Sequence, residues 1–129
     1  MTHRIVLREA VIDVPSSALA ATRDFWCGAL LARPHRLDGY SEFTDLADAA
    51  ALADIGVQDI GDGAARVHLD IETDDVDAEV ARLVGLGATE VARPHSWVVL
   101  RDPGGLLFCV VPADSPESAE FVERSRQVD

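Results

Sequence analysis

The chain has 129 residues, a hydrophobic content of 48% and a formal net charge of −12, from 23 acidic residues against 11 basic ones, all of them arginine. This length allows one domain with a hydrophobic core, and the composition excludes a disordered chain. The negative charge repels phosphate backbones. Nucleic acid is therefore not an expected partner, whereas cationic ligands are attracted.

The sequence shows no signal that would direct it to a membrane. No run of about 18 apolar residues occurs, and the first residues, MTHRIVLREA, lack the apolar core of a secretory signal. We therefore expect a cytoplasmic protein with no membrane partner. Cys27 and Cys109 have no CxxC spacing, and in such a chain we expect two free, buried thiols rather than a disulfide.

The first half of the chain predicts a strand, a helix and further strands. Residues 4–14 read as a strand that ends at Pro15, and the segment SSALAATRDFWCGALLA predicts a helix with Ser16 or Ser17 as its N-cap. Pro34 prevents further helix, Gly39 suggests a turn, YSEFTDL and ALADIGVQDI predict two strands, and DIGDG a loop. The predicted apolar face of the helix comprises Ala18, Leu19, Thr22, Phe25, Trp26, Ala29 and Leu30.

The second half gives clearer signals. In residues 67–72 apolar and polar side chains alternate, which is typical of a half-buried strand with an apolar face of Val67, Leu69 and Ile71. A helix follows, capped by Thr73 or Asp74. Its buried stripe is Val76, Val80, Leu83 and Leu86, and Gly85 and Gly87 offer stops. This half is completed by a short strand near 90–92, the strand SWVVLRD, a turn at DPGG and the strand LLFCVV. Arg101 and Asp102 are expected to stabilise the turn. Residues 116–126 are compatible with a short helix.

The two halves resemble each other. Aligning VIDVPSSALAATRDFWCGAL with HLDIETDDVDAEVARLVGLG matches the pairs Asp13/Asp70, Leu19/Val76, Trp26/Leu83 and Gly28/Gly85. Each half then reads as strand–helix–three strands. The prediction is a single α+β domain over residues 1–129, with module 1 at about 4–60, module 2 at about 64–112 and a tail at 113–129.

A duplicated βαβββ unit with HLDI-x-x-DDVDAEVARL-x-x-LGA and a closing DPGG-x-x-FCVV resembles the vicinal oxygen chelate superfamily, and most closely its glyoxalase-like domain branch, common in bacteria. The superfamily includes glyoxalase I, extradiol dioxygenases and bleomycin-binding proteins. The resemblance covers about residues 4–112. It implies a curved sheet around a ligand cavity, often completed by a homodimer, and a small-molecule ligand.

The resemblance also implies candidate metal ligands, one on each of the first, fourth, fifth and eighth strands. They fall on His68 in the fifth strand and on Cys109 in the eighth, where relatives usually have glutamate. In the first strand the match to IDV gives Glu9, which we prefer, and the internal repeat gives Val11. In the fourth strand Asp54 is the only plausible donor. Any metal would be zinc, nickel or manganese, and a metal-free site remains open.

His68 lies on the same strand face as Asp70 and Glu72. A neutral imidazole is a good ligand for transition metals, and a carboxylate could orient its other nitrogen. The alternative is a structural histidine. Asp70, on the same face, is a further candidate ligand-binding residue.

Cys109 is expected to point into the cavity if Phe108 points into the core. Its thiolate would suit zinc better than an oxygen-preferring ion. Inert packing is the alternative, because apolar surroundings raise a thiol pKa.

Glu9 shares a face with Leu7 and Val11, and a carboxylate there is costly unless something pairs with it. Glu9 and His68 close together would form an acid–base pair, with or without metal.

Trp97 is a candidate for stacking on a flat ligand, with a rim or dimer contact as the alternative. Phe25, Trp26 and Phe43 are expected in the core, and His35 and His95 in exposed loops.

These expectations favour a binding protein for a small molecule, such as a cationic antibiotic or natural product. An isomerase or lyase that uses Glu9 and His68 is the alternative, so whether the chain is an enzyme is open at this point.

Overall fold

The computed structural model describes residues 2–50 and 54–129. A turn of 3-10 helix at Ser16–Ala18 follows the first strand. The three helices are α1 (Leu19–Leu30), α2 (Val76–Gly85) and α3 (Ala119–Arg124). The strands are β1 (His3–Val14), β2 (Arg33–Leu37), β3 (Tyr40–Ala47), β4 (Asp54–Asp59), β5 (Arg66–Thr73), β6 (Thr89–Ala92), β7 (Val98–Arg101), β8 (Leu107–Pro112) and β9 (Arg126–Val128). Among the described residues, no helix is long and apolar enough to span a membrane.

The chain forms two compact units. One contains Glu9–His68, and the other contains the residues up to Arg8 together with Leu69–Asp129. Strands β1 and β5 therefore each begin in one unit and end in the other.

The 9–68 unit contains α1 and four neighbouring strands. Its strands lie in the order β2-β3-β4-β1. The last two are parallel, with Glu9 opposite Asp54 and Asp13 opposite Gln58, while β2, β3 and β4 are antiparallel neighbours.

The 69–129 unit repeats this arrangement with α2, in the order β6-β7-β8-β5. Here β5 and β8 are parallel, with Asp70 opposite Cys109, and β6, β7 and β8 are antiparallel. The α+β fold predicted from two βαβββ modules is confirmed.

Each unit has its own apolar core. In the 69–129 unit, Val76, Val80 and Leu83 of α2 belong to the core, as predicted, whereas Leu86 is 69% exposed. The core's buried members are Val80, Val98, Leu100, Phe108 and Val110. In the 9–68 unit the buried members are Val14, Leu46 and Val57, with Trp26 and Cys27 of α1 packed against them.

The prediction that Phe25 lies in the core is wrong, because this side chain is 63% exposed. Trp26 and Cys27 occupy the part of α1 that faces the core. Successive helical residues are rotated by about 100°, so Phe25 points away. Its ring meets the Trp26 ring edge-on, with 5.2 Å between centroids.

Both predicted helix caps are also wrong. Helix α1 has Ala18 at its N-cap without a side-chain hydrogen bond, because the chain enters α1 through a 3-10 turn and the Ser16 hydroxyl donates to Asp59 instead, at 2.6 Å. In α2 the cap is Asp75, whose Oδ1 accepts from the Ala78 backbone N–H at 3.0 Å. Thr73 lies before this cap and its Oγ1 accepts from the Asp75 N–H.

Strand β5 alternates as predicted, but its polar face is the more buried one. His68 and Asp70 are 6% and 7% exposed, whereas Val67 is 50% exposed. Leu69 and Ile71 are partly buried against the core. The apolar residues Leu69 and Ile71 therefore face the core as predicted, and the opposite face is covered at His68 and Asp70.

Two predicted turns are confirmed, and one residue predicted in a loop lies in a strand. Gly39 occupies the turn between β2 and β3 with φ +83°, as predicted, and Arg101 and Asp102 bond within the DPGG turn. His35 lies in β2, not in a loop, although it is exposed as expected. The part of the predicted ALADIGVQDI strand at 51–53 lies outside the described residues.

A buried ionic network joins the start of β1 to α2. Glu79 is 0% exposed and accepts hydrogen bonds from His3 Nε2 at 2.6 Å and from Arg82 Nε and Nη2 at 2.8 Å each. Burial raises the pKa of the Glu79 carboxyl, but the hydrogen bonds and charges of Arg82 and His3 outweigh burial, and this pKa lies below its ordinary value.

Candidate metal centre

Strands β5 and β8 present three potential metal ligands on one face. His68 and Asp70 are two residues apart on β5, so their side chains point to the same side. Asp70 is opposite Cys109 of the parallel neighbour β8. One ligand atom from each of the three lies within 4.8 Å of the others. The structure therefore brings together three of the residues that the sequence singled out.

His68 is held by a buried carboxylate. Its Nδ1 is 2.8 Å from Oδ2 of Asp13, a residue that is 1% exposed. Arg66 Nε donates to the same oxygen at 3.2 Å. Since a guanidinium only donates, this oxygen is an acceptor, and Nδ1 is therefore the donor to it. The lone pair of a neutral His68 ring is then on Nε2, the nitrogen left for a metal.

The sequence interpretation did not single out Asp13 as a site residue. A signal existed, because Asp13 matches Asp70 in the internal repeat and lies on the same face of β1 as Glu9 and Val11. Asp13 Oδ1 is buried and has no hydrogen-bond partner among the described residues. Asp13 is therefore a polar residue of β1, in addition to Glu9, that lies next to the candidate site.

Glu9 lies elsewhere on β1. In residues 2–50 and 54–129 it is not a member of the three-residue group. The Glu9 carboxylate lies close to Gly56 of β4, since a Cβ atom added to Gly56 would be 3.5 Å from Glu9 Oε2. Asp54, the fourth-strand candidate, is exposed and lies opposite Glu9 in the strand register. Val11, the other first-strand candidate, is 1% exposed and has no ligand atom.

Trp97 precedes β7 and is partly buried. Its ring lies 4.6 Å from the ring of His95, centroid to centroid, at a tilt of 42°. A ligand-stacking role for Trp97 remains a prediction.

A small cavity of about 180 Å³ also lies in the 69–129 unit. It is lined by Leu7, Leu69, Ile71, Leu83, Asp102, Leu106 and Phe108. Because Leu69 and Ile71 point away from His68 and Asp70 on β5, this apolar cavity is not part of the candidate metal centre.

The donor set fits a transition metal of intermediate softness. Zinc is bound in proteins by histidine nitrogen, carboxylate oxygen and cysteine sulfur, with bonds of about 2.0–2.3 Å. Tetrahedral geometry would separate such ligand atoms by roughly 3.5 Å, and the three atoms lie within 4.8 Å of one another. Three protein ligands would leave one position open.

The family comparison agrees with the predicted resemblance to the vicinal oxygen chelate superfamily. The family model described as "Glyoxalase-like domain" matches residues 9–111, which is most of the chain. The chain therefore belongs to the glyoxalase-like domain family. No curated protein matches the sequence.

Solved structures of the same fold share little sequence with this chain. A hypothetical protein from Bacillus halodurans is 15% identical, with a TM-score of 0.61 over 89% of this chain and 97% of that one. An NAD-dependent benzaldehyde dehydrogenase from Legionella pneumophila is 11% identical, with a TM-score of 0.59 over 81% and 99%. A methylmalonyl-CoA epimerase from Mycobacterium tuberculosis is 18% identical, with a TM-score of 0.55 over 83% and 87%. At these identities the likeness establishes the fold.

Proposed function

We propose that this protein binds a small-molecule ligand at a zinc centre held by His68, Asp70 and Cys109. The observation that carries the proposal is the approach of the three ligand atoms to within 4.8 Å of one another. Two of the three residues, His68 and Asp70, are more than nine-tenths buried.

Zinc is preferred over the other two candidate metals because of the sulfur ligand. Manganese favours oxygen ligands, and a thiolate shifts the preference towards softer ions. When bound, zinc would act as a Lewis acid towards an oxygen of the ligand in the open position. The chain's part is to hold His68 through Asp13, to supply the charge of Asp70 and Cys109, and to limit access of water by burial.

The charge of the chain favours a cationic or neutral ligand. With a net charge of −12, the protein repels polyanions. A coenzyme A ester such as the one named in the epimerase carries several phosphate charges. We therefore favour a basic natural product or antibiotic over such an ester.

Metal analysis tests the centre directly. Protein purified without an affinity tag or chelator should carry zinc near one equivalent, and added zinc should raise its thermal stability. Cys109→Ser should lose the bound zinc, whereas Cys27→Ser, which changes the other thiol, packed in the 9–68 core, should keep it. Sub-stoichiometric zinc together with unchanged thermal stability would rule the centre out.

Calorimetric titration tests the ligand class. The zinc-loaded protein is titrated with bleomycin, as a basic glycopeptide, and with acetyl-CoA, as an anionic ester. Binding of bleomycin alone is the expected result. Binding of acetyl-CoA alone would contradict the charge argument while leaving the metal centre in place.

The alternative function is a lyase or isomerase in which Glu9 and His68 exchange protons with the ligand. The hydrogen bond between His68 and Asp13 favours it, because a carboxylate commonly orients a catalytic histidine. In that case His68 Nε2 is free of metal, and Glu9→Gln would abolish turnover in the metal-free protein while leaving its capacity to bind added zinc unchanged. If Glu9→Gln also removed zinc, Glu9 would be a ligand and not an acid or base.

A further inference from the structure

The two modules carry an aspartate at the same place, and the two aspartates have different neighbours. Asp13 is opposite Gln58 of β4 in the parallel register, and Asp70 is opposite Cys109 of β8. Two residues before each aspartate, module 1 has Val11 where module 2 has His68. Module 1 therefore lacks both the histidine and the thiol at the matching positions.

Asp13 directs its hydrogen bonds to the histidine of the other module. Its Oδ2 accepts from His68 Nδ1 at 2.8 Å and from Arg66 Nε at 3.2 Å. The side chains of Asp13 and His68 are 2% and 8% exposed, whereas that of Arg66 is 48% exposed. Two donors on one carboxylate oxygen fix the direction of both bonds, since a carboxylate oxygen only accepts.

We propose that Asp13 is a positioning residue that fixes the Nδ1–H tautomer and the ring orientation of His68, so that Nε2 is the nitrogen that ligates the metal. This inference rests on the proposed zinc centre. Outer partners of this kind typically change metal affinity by about 10–100-fold when they are removed. Arg66 adds a smaller effect, because it is half exposed and the bond between Asp13 and His68 remains without it.

The substitutions Asp13→Asn and Asp13→Ala separate this role from simple packing. Asparagine has nearly the same shape and keeps an acceptor, its amide oxygen, for the position to which His68 Nδ1 and Arg66 Nε donate, so it should keep the Nδ1–H tautomer while removing the charge. If Asp13 only filled space, the tautomer of His68 would be unchanged in both variants. Asp13→Ala removes the partner altogether and should leave the tautomer mixed.

Nitrogen-15 NMR of the histidine rings in metal-free protein reads the tautomer without any metal. The spectra are recorded at pH 8, above the ordinary histidine pKa of about 6.5, and His68 is assigned by its loss in His68→Ala. The wild type and Asp13→Asn should show the Nδ1–H form, whereas Asp13→Ala should show a mixture of the two tautomers. Asp59→Asn is the control, because Asp59 bonds to Ser16 and Gly61 and not to His68.

Zinc affinity of the same variants, measured by competition with a chelator, gives the second readout. Asp13→Ala should bind zinc about 10–100-fold more weakly than the wild type, with Asp13→Asn between the two, while Asp59→Asn should bind as the wild type does. A mixed tautomer in Asp13→Ala with unchanged zinc affinity would overturn the inference.

The two readouts distinguish failure of the inference from failure of the zinc centre. If the wild type binds no zinc but its His68 tautomer depends on Asp13, the positioning role is supported and the zinc centre fails. If the wild-type protein shows the Nε2–H form, the positioning role is overturned, whether or not zinc binds. This last measurement needs no variant at Asp13 and therefore holds even if Asp13→Ala does not fold.

Discussion

Modules 1 and 2 share one topology and differ in what their polar residues do. Helix α2 begins at an N-cap aspartate and buries a glutamate in an ionic network. Helix α1 begins at Ala18 without a side-chain cap bond and has no buried residue. The potential metal ligands His68, Asp70 and Cys109 all lie in module 2.

This difference shows which features the βαβββ topology does not need. Both units have the same strand order and the same parallel pair, although only α2 has a side-chain N-cap bond and a buried ionic network. The cap and the ionic network are therefore not required for this strand order. The polar groups of module 2 are additional, and they are the ones whose removal should matter most.

The largest expected effect comes from Glu79→Ala. Removing one partner of a buried ionic network typically costs about 3–5 kcal/mol in the free energy of unfolding, because His3 and Arg82 are left without their anion. Urea unfolding measures it. The control is Thr22→Ala at the matching position of α1, where a change within about 0.5 kcal/mol is expected. Equal losses for both variants would contradict the proposed difference between the helices.

The second effect concerns the metal. Cys109→Ser should weaken zinc binding by at least about 100-fold, since loss of a direct ligand should exceed the effect of losing an outer partner. Gln58→Ser, the matching change in module 1, should leave zinc binding within a few-fold of the wild type. A comparable loss in Gln58→Ser would place a ligand in module 1.

The third effect is smaller and concerns the helix caps. Asp75→Ala should lower the free energy of unfolding by about 1 kcal/mol, because the Ala78 N–H loses its acceptor. Ala18→Ser should give no comparable gain. Ala18 has φ −102° and ψ −5°, whereas a capping side chain needs an extended backbone. A stabilisation near 1 kcal/mol in Ala18→Ser would show that α1 can be capped in the same way as α2.

The smallest effect is the change of stability with pH, because protonation removes a charge without removing a side chain. The pKa of Glu79 in the folded protein lies below its ordinary value of 4.5, so in this range the unfolded state binds more protons. The stabilisation is then complete above pH 4.5 and is lost as the pH falls through the folded pKa. Unfolding of wild type and Glu79→Gln should differ most near neutral pH and converge in acid. A constant difference would show that Glu79 does not titrate.

The sequence predicted most of module 2 because its local signals agree with one another. Four signals each predict the observed element: the alternation in β5, the apolar stripe of α2, the glycines at the end of α2 and the DPGG turn. In module 1 the weakly amphipathic α1 gave a wrong N-cap and a wrong side for Phe25, since neither the 3-10 turn nor the bond from Ser16 to Asp59 is visible in a periodic pattern.

The candidate site was predictable only in part. His68 and Cys109 follow from the family resemblance, and Asp70 was predicted as a ligand-binding residue because it shares a strand face with His68, although not as a metal ligand. The burial of the polar face of β5 does not, because alternation identifies two faces without saying which is covered. Asp13 was missed because its contact with His68 spans 55 positions, and only the internal repeat hinted at its importance.

The pairing of β9 with the start of β1 has a consequence for the order of folding. His3 and Ile5 lie opposite Val128 and Arg126, and the Arg4 guanidinium donates to the Val122 carbonyl oxygen. During synthesis these partners emerge from the ribosome long after β1 does. Closing so long a loop also costs more conformational entropy than closing either βαβββ module. We therefore expect the first residues of β1 to gain their β9 partner last, after both modules have their cores.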